Sequence, residues 1–369
     1  MSDNASKVNT SKYQCRSCGG NMEFDPESQS LKCPFCSDTA PIERDEEKPA
    51  VHDYRTADTS ASHNWGEEKR LIKCESCGAE TMIDSAKSAD FCAFCGSSHI
   101  LTQEDTNPAI APETVIPFKI SKNQATEAFK QWISKKKFAP NALKSRHTME
   151  SISGVYMPFW SYNSKTESDY TAEKGTYYYT NEMKTFTDSD GKVQTREEKI
   201  RHTRWEKVAG NYIESFDDVN IVASDNVSQI LAKDIEPYKL EELVKYDPRY
   251  ISGFLAERYT VDIHQGWNMA KNEIDEEIAS GIIEEIGGDE HRNLNVTTDY
   301  QTIDYKLMML PIWISSYRFK DKVYNFLVNG QTGKVAGKAP TSWAKVLGLL
   351  GGIAGVTAII ILLIKLFGK

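Results

Sequence analysis

The sequence VLGLLGGIAGVTAIIILLI occupies residues 346–364, between Lys345 and Lys365. None of its nineteen residues is charged, and Thr357 carries its only polar side chain. A helix of this length extends about 28 Å, close to the thickness of the hydrocarbon core of a bilayer. The alternative, a buried helix of a soluble core, usually has a polar face. The stretch therefore predicts one transmembrane helix over 346–364, and so a tail-anchored protein.

The charges beside this segment predict its orientation. Lys334, Lys338 and Lys345 precede it, no acidic residue occurs from residue 322 onward, and only Lys365 and Lys369 follow it as charged residues. Loops rich in lysine face the cytoplasm. The first residues, MSDNASKVNTSKYQ, lack the apolar stretch of a signal peptide. We therefore expect a single-pass protein of the cell membrane whose N-terminal domains are cytoplasmic.

Small residues recur inside the same segment at a spacing of four. Gly348 with Gly352, and Gly351 with Gly355, are small-xxx-small pairs that allow helix backbones to approach closely. They predict a surface for self-association or for a second membrane helix. Glycine is also common in membrane helices without this role, so the pattern has a second interpretation.

All eight cysteines belong to an internal repeat. Two Cys-x-x-Cys pairs separated by fourteen residues form each copy, and every cysteine of the second copy lies 59 residues after its counterpart. The first copy consists of Cys15, Cys18, Cys33 and Cys36, and the second consists of Cys74, Cys77, Cys92 and Cys95. Two such pairs on short hairpins present four thiolates to one tetrahedral metal site. The spacing predicts two zinc ribbons, over 13–42 and 71–101.

The expected cofactor is Zn²⁺, two ions with structural roles. Neither module has enough apolar residues for a core of its own, so the metal has to stabilise each fold. Rubredoxin-like iron is an alternative, and a set of disulfides is another. Reduced, metal-loaded thiols suit the cytoplasm, in agreement with the lysine pattern. His99 follows the last cysteine and is interpreted as a surface histidine rather than a ligand.

The rest of the chain predicts a mixed α+β domain over 114–338, joined to the ribbons by a polar, flexible linker over 43–70. Ser121 is expected to cap a helix that starts the domain. A second helix is predicted near its middle, with apolar positions at Ala270, Ile274, Ile278, Ile282 and Ile286. Phe254–His264 is predicted to be a strand. MPFW at 157–160 and LPIW at 310–313 indicate either an internal pseudo-repeat or two edge strands.

No motif of nucleotide binding, zinc proteolysis or nucleophilic catalysis occurs in this sequence. Both metal sites have four protein ligands, which leaves no open position for catalysis. We therefore expect a protein that is not an enzyme. The net charge of −9 argues against a protein that coats nucleic acid.

Several segments together resemble a bacterial family of double-zinc-ribbon membrane proteins. They are the two ribbons, MPFWSYN, YISGFLAERY, LPIWISSYRF, NFLVNGQTGKVAG and the C-terminal apolar segment. Members are often labelled as transcription-factor-IIB-type zinc ribbons or as relatives of the primosomal helicase, although no ATPase motif is present here. They are similar to the zinc-ribbon protein encoded beside PspA and an SPFH/flotillin-like protein. Ser37 departs from the glycine that usually follows the second cysteine of a knuckle.

This resemblance implies a cytoplasm-facing adaptor or scaffold at the membrane, active in an envelope-stress, phage-shock-like response. Its expected partners are the membrane and other proteins, with PspA-like or SPFH/flotillin-like proteins as candidates. The alternative is a membrane-tethered nucleic-acid-binding regulator that uses its ribbons.

Overall fold

The computed structural model describes residues 13–43, 51–57, 65, 69–84, 90–103, 109–140, 152–187, 189, 191–319 and 322–367. Helices and a large mixed sheet are combined in one chain, which confirms the predicted α+β class. Both four-cysteine clusters and the C-terminal apolar helix are present as well.

The described strands are, in chain order, β1 (Glu23–Asp25), β2 (Ser30–Lys32), β3 (Thr39–Ala40), β4 (His52–Asp53), β5 (Lys69–Cys74), β6 (Glu80–Asp84), β7 (Ile100–Gln103), β8 (Thr114–Val115), β9 (Ser153–Thr187), β10 (Val193–Val222), β11 (Val244–Lys245), β12 (Leu255–Glu257), β13 (Glu290–Phe319), β14 (Lys322–Asn329) and β15 (Val335–Gly337). The described α-helices are α1 (Lys122–Lys135), α2 (Gln229–Asp234), α3 (Ile263–Ile286) and α4 (Trp343–Phe367). Short 3-10 helices occur at Tyr54–Thr56 and Leu240–Glu242.

The large sheet is built around two long antiparallel strands, β9 and β13. Its order is β11-β8-β13-β9-β12-β6-β5-β7, with β10 added to β9 and β14 and β4 added to β13. The first ribbon forms a separate three-stranded sheet, β1-β2-β3. Strands β14 and β15 form an antiparallel hairpin around the sequence NGQTGK.

One end of the sheet continues as a two-stranded arm. Strand β9 has 35 residues, which correspond to roughly 115 Å of extended chain. Strand β13 accompanies it only as far as Gly175, whereas β10 pairs with it out to Thr187. Along the arm Lys199 lies 4.4 Å from the ring centre of Tyr179, and Arg201 lies 4.3 Å from that of Tyr177. These cations cover rings that a two-stranded structure cannot bury in a core.

Helix α3 packs against the long strands with the apolar face predicted from its sequence. Asp262 caps the helix, and its carboxylate accepts hydrogen bonds from the N–H groups of His264 and Gln265. Because the chain turns into this helix, the strand predicted over Phe254–His264 is wrong beyond Glu257. The predicted apolar positions are all buried, namely Ala270, Ile274, Ile278, Ile282 and Ile286.

Replacing Ile278 with alanine is expected to lower the free energy of unfolding by about 2–5 kcal/mol, because the side chain is fully buried and its removal leaves a cavity. Ile283 lies on the same helix but is 37% exposed, so Ile283→Ala should cost less than about 1 kcal/mol. The free energy of unfolding of both variants is measured by denaturant unfolding of the detergent-solubilised chain, followed by tryptophan fluorescence. Equal decreases in this free energy for the two variants would contradict this packing.

The MPFW and LPIW segments lie side by side on β9 and β13. Met157 pairs with Leu310, and Pro158 and Pro311 each follow that pair on their own strand. The two segments are thus related by a local two-fold axis through the Met157–Leu310 pair. Pro158 also accepts a hydrogen bond from Ala223 N on its other side, so it is not on an edge of the sheet.

The surroundings of the two segments follow the same symmetry. Strand β12 runs parallel to β9, and β8 runs parallel to β13. Each of these short strands leads into a helix that begins with a capping box, α3 at Asp262 and α1 at Ser121. The domain therefore contains two copies of a strand–helix–strand unit, β8-α1-β9 and β12-α3-β13, as a pseudo-repeat requires.

Equivalent tryptophans make equivalent hydrogen bonds in the two copies. The indole N–H of Trp160 donates to the carbonyl of Val261 at 2.9 Å. That of Trp313 donates to the carbonyl of Ile120 at 2.8 Å. Val261 and Ile120 each precede the cap of the helix in their own copy. In each copy, the tryptophan on the central strand is therefore hydrogen-bonded to the residue that precedes the capped helix.

The second ribbon is continuous with this sheet. Its strand β6 pairs with β12, at Ala256 opposite Met82 and Glu257 opposite Thr81. Part of the predicted linker also lies against the sheet, since His52 pairs with Tyr305 on β13. The predicted domain boundaries remain predictions, but the described strands join ribbon and domain in one hydrogen-bonded sheet.

The junction between β6 and β12 contains a buried carboxyl group. Glu257 is fully buried, and its Oε1 accepts hydrogen bonds from Ser224 Oγ at 2.6 Å and Asn226 Nδ2 at 2.7 Å. Burial raises its pKa to about 7. The folded state therefore retains a proton that the unfolded chain releases nearer its ordinary pKa of 4.5.

We expect Glu257 to make stability fall as pH rises from about 4.5 to about 7, by up to roughly 3 kcal/mol, because the raised pKa disfavours the charged folded form. Glu257→Gln mimics the protonated form and should remove this part of the pH dependence. The free energy of unfolding of the variant and of the wild type is measured at several pH values across this range, and the two curves are compared. Glu206→Gln, at an exposed position of β10, is the control. If the free energy of unfolding changed with pH in the same way for Glu257→Gln and wild type, this pH dependence would not come from Glu257.

Candidate metal centres and membrane helix

The first cluster brings together the four cysteines of ribbon 1. Cys15 Sγ lies 3.4 Å from Cys36 Sγ, and Cys18 Sγ lies 3.4 Å from Cys33 Sγ. All four sulfur atoms lie within 4.8 Å of one another. The sulfurs of Cys15 and Cys33 are on the buried side, and those of Cys18 and Cys36 belong to exposed residues.

The second cluster repeats this geometry in ribbon 2. Cys74 Sγ is 3.6 Å from Cys95 Sγ, and Cys77 Sγ is 3.6 Å from Cys92 Sγ. The four sulfur atoms of this cluster also lie within 4.8 Å of one another. The structure therefore assembles the eight predicted site residues into two groups of four, in the pairing of knuckles that the repeat predicts.

The knuckles owe their shape to a left-handed residue after the second cysteine of each pair. Gly19, Gly78 and Gly96 have φ values of 75°, 80° and 71°, and Ser37 has 63° at the equivalent position. Ser37 N still donates to Cys33 O at 3.0 Å, as Gly19 N does to Cys15 O at 2.9 Å. The serine thus adopts the same turn, at a cost of roughly 1–2 kcal/mol for a side chain in this conformation.

The sulfur geometry fits a tetrahedral metal ion. With metal–sulfur bonds of about 2.3 Å, a tetrahedral zinc site places its sulfurs roughly 3.8 Å apart. The paired sulfurs are 3.4–3.6 Å apart, well beyond the roughly 2.05 Å of a disulfide bond. Both groups could hold a metal ion, and zinc is consistent with four thiolate ligands.

Local hydrogen bonding favours a thiolate in the first cluster. Backbone N–H groups of Cys36 and Phe35 donate hydrogen bonds to Cys33. The bond from Cys36 is the main reason that the pKa of Cys33 falls to about 7. Burial raises the pKa of Cys77 to about 11 in the second cluster. A cation among the sulfurs would offset this burial, because a coordinating thiol is deprotonated outright.

Ribbon 1 is docked on the domain through hydrogen bonds. Phe24 N donates to Ser252 O at 3.0 Å, and Ser252 Oγ donates to Met22 O at 3.0 Å. Gln29 Nε2 donates to Phe118 O at 2.7 Å. These bonds bring β1 and the β1–β2 turn against the loop before β12 and the segment between β8 and α1. Whether the ribbons pack on the domain could not be inferred from the sequence.

The equivalent phenylalanines of the two clusters have opposite environments. Phe94, within the last knuckle of ribbon 2, is 3% exposed, and its carbonyl accepts a hydrogen bond from Ser316 Oγ at 2.7 Å. Phe35, at the same place in ribbon 1, is 78% exposed. One knuckle therefore faces the domain and the other presents an aromatic ring to solvent. The sequence contained no signal for this difference, because both residues occupy the same position of the repeat.

His99 has the surface position expected of it. The residue is exposed, and its backbone N–H donates to Ser97 Oγ at 3.1 Å. It is not a member of the second sulfur cluster, whose four positions are cysteines.

Helix α4 extends three residues beyond the predicted segment at each end, from Trp343 to Phe367. By length and composition it could cross a membrane. Its residues are exposed from Leu347 to Phe367, including the four glycines of the predicted self-association surface. Nothing in the described part of the chain covers this apolar surface, as expected for a helix that contacts lipid.

Comparison with known proteins places the chain in a family. No family model matches it, and no solved structure matches it. It is similar to the "Uncharacterized protein YdjG" of Bacillus subtilis (strain 168), with 30% identity over 371 residues. The similarity covers 96% of this chain and 97% of the relative. The chain therefore belongs to the same protein family as YdjG.

Proposed function

We propose that this protein is a membrane-anchored zinc protein that acts as an adaptor, binding partner proteins through the exposed side of its first ribbon. Phe35 carries the proposal. Its ring is 78% exposed within a knuckle held rigid by the metal site, whereas its counterpart Phe94 is buried. Exposed aromatic rings on rigid supports are typical anchors of protein–protein interfaces.

Zn²⁺ is the metal that we assign to both clusters. Four thiolates around a tetrahedral position suit zinc, and the sulfurs fill every coordination position. The metal is thus assigned a structural role, and the proposal includes no catalytic step. Elemental analysis distinguishes zinc from iron.

Helix α4 is proposed to hold the protein in the cell membrane with its ribbons in the cytoplasm. The lysines before the helix support this orientation, because positively charged flanks remain on the cytoplasmic side. Metal-loaded thiols are also typical of that compartment.

The resemblance stated from the sequence gives the proposal its biological setting. Partners would be membrane-stress proteins of the PspA-like or SPFH/flotillin-like kind, in a response to envelope stress.

Replacing Phe35 with alanine is expected to weaken partner capture about 30-fold, since truncating an interface anchor commonly costs 2 kcal/mol or more. Proteins that co-purify with the full-length chain from gently solubilised native membranes would be quantified by mass spectrometry. Phe35 is not a metal ligand, so the variant should retain both metal ions. Ile213→Ala, at a position of β10 that is 72% exposed, is the matched control. Full capture by the Phe35 variant would exclude this surface as the contact.

A further inference from the structure

Two lysine-rich segments that are far apart in sequence meet where helix α4 begins. Lys135, Lys136 and Lys137 follow one another at the C-terminal end of α1, and Lys338 lies between β15 and α4. We call these four residues the lysine collar. All four are exposed.

Direct contacts hold the two segments together. Ser342 N donates to Phe138 O at 2.8 Å, and Lys345 Nζ donates to Ala139 O at 2.6 Å. The residues just before the membrane helix are therefore hydrogen-bonded to the residues just after the three lysines. This arrangement places the end of α1 at the level where α4 starts.

Lys338 is brought to the same surface by the packing of Trp132. A Cβ on Gly337 would lie 3.2 Å from the Trp132 ring, so the ring contacts the chain directly beside Lys338. Lys136 Nζ lies 5.1 Å from the centre of the same ring. The same indole is thus close to both parts of the collar.

The acidic groups that the structure describes do not pair with these lysines. Among the residues that the structure describes, none of the four collar lysines has a carboxylate oxygen within 4 Å. The sequence from residue 322 onward contains no acidic residue at all. Within the described part of the chain, these four cations therefore have no acidic partner, and anions of a bound ligand could balance their charge.

Aromatic side chains occupy the same level. Trp343, the first residue of α4, is 70% exposed, and Phe138 beside the collar is also exposed. Tryptophan is enriched where membrane proteins pass through the headgroup region. Exposed aromatic rings beside unpaired lysines are the combination that an anionic membrane surface attracts.

We propose that the lysine collar binds the anionic phospholipid headgroups of the bilayer that α4 enters. The collar then holds the domain against the membrane surface and selects acidic lipids around the helix. This inference rests on the proposed membrane insertion of α4 and adds to it a lipid preference that no part of the adaptor function requires.

The test uses the full-length protein in nanodiscs of phosphatidylcholine alone or mixed with phosphatidylglycerol. An amine-reactive reagent labels lysines, and mass spectrometry gives the rate at each position. Labelling of the collar should slow by roughly threefold to tenfold in the acidic discs and recover at high salt. Lys122 and Lys130, exposed on the same helix but outside the collar, should react equally in both discs.

Paired variants provide a second readout. Lys135→Gln with Lys137→Gln should abolish the excess of phosphatidylglycerol retained with the protein from mixed discs. Lys122→Gln with Lys130→Gln should leave that excess unchanged. Because all four positions are exposed, neither pair should disturb folding, which thermal unfolding checks.

Equal labelling of the collar in both discs would overturn the proposal. Protection by soluble phosphate or by duplex DNA in phosphatidylcholine discs, without protection by phosphatidylglycerol, would overturn it too. A protein that fails to insert into any disc would instead refute the membrane anchor of the proposed function. That result differs from an inserted protein whose collar lysines are labelled equally in both kinds of disc.

Discussion

Replacing Cys74 and Cys92 with serine is expected to destabilise the whole domain, not ribbon 2 alone. Both cysteines are buried in the same apolar cluster as Val155, Met157 and Leu310 of the central strands. A structural zinc site contributes on the order of 10 kcal/mol, and about 1 kcal/mol shifts the unfolding midpoint by 2–4 °C in a domain of this size. The midpoint should therefore fall by roughly 20 °C or more.

Metal analysis and thermal unfolding of the solubilised full-length chain measure this effect together. Metal content should fall from two ions per chain to one, since only the second of the two clusters is removed. Ser76→Ala is the matched control, because Ser76 lies between two ligands in the same knuckle but is exposed. A variant that loses one ion while its main unfolding transition stays in place would show that the ribbon is energetically independent of the domain.

Replacing Val356 and Ile360 with arginine is expected to release the protein from the membrane. Both residues lie near the middle of α4, and each arginine at the centre of a membrane helix costs about 2.5–3.5 kcal/mol by insertion scales. Together they should reduce the inserted fraction more than about 1000-fold. The measurement is the fraction of protein that remains in membranes after alkaline carbonate extraction.

The matched control replaces the same two residues with leucine, which should leave insertion unchanged. Because no described residue of α4 is buried, the domain should keep its unfolding midpoint in both variants. If the arginine variant resisted carbonate as well as wild type does, α4 would not be the anchor.

The integration of the ribbons changes how cysteine variants should be interpreted. Since β6 of ribbon 2 is hydrogen-bonded to β12, loss of its metal is expected to disturb the sheet that also carries α3. Loss of partner binding in a cysteine variant would therefore not locate the contact surface. Substitution at Phe35, which is exposed and not a ligand, avoids this ambiguity.

Much of the local structure could be predicted because its signals are periodic or closely spaced in sequence. The Cys-x-x-Cys pairs encode their own turns, so both clusters were predictable residue by residue. The apolar spacing of four along α3 predicted its buried face from Ala270 to Ile286. The prediction of a strand through His264 failed because β12 ends at Glu257 and helix α3 begins at Ile263, after the cap at Asp262.

The sequence by itself therefore determined the eight cysteine positions, the buried face of α3 and the apolar helix, since each depends on residues that are neighbours along one element. Only the tertiary structure decided that MPFW and LPIW pair across a two-fold axis, that Phe35 is exposed while Phe94 is buried, and that Lys137 lies beside the start of α4. These facts depend on which distant strands pair and on how their faces pack. Strand pairing and packing between distant parts of the chain depend on the whole fold, so they could not be predicted from any local pattern of residues.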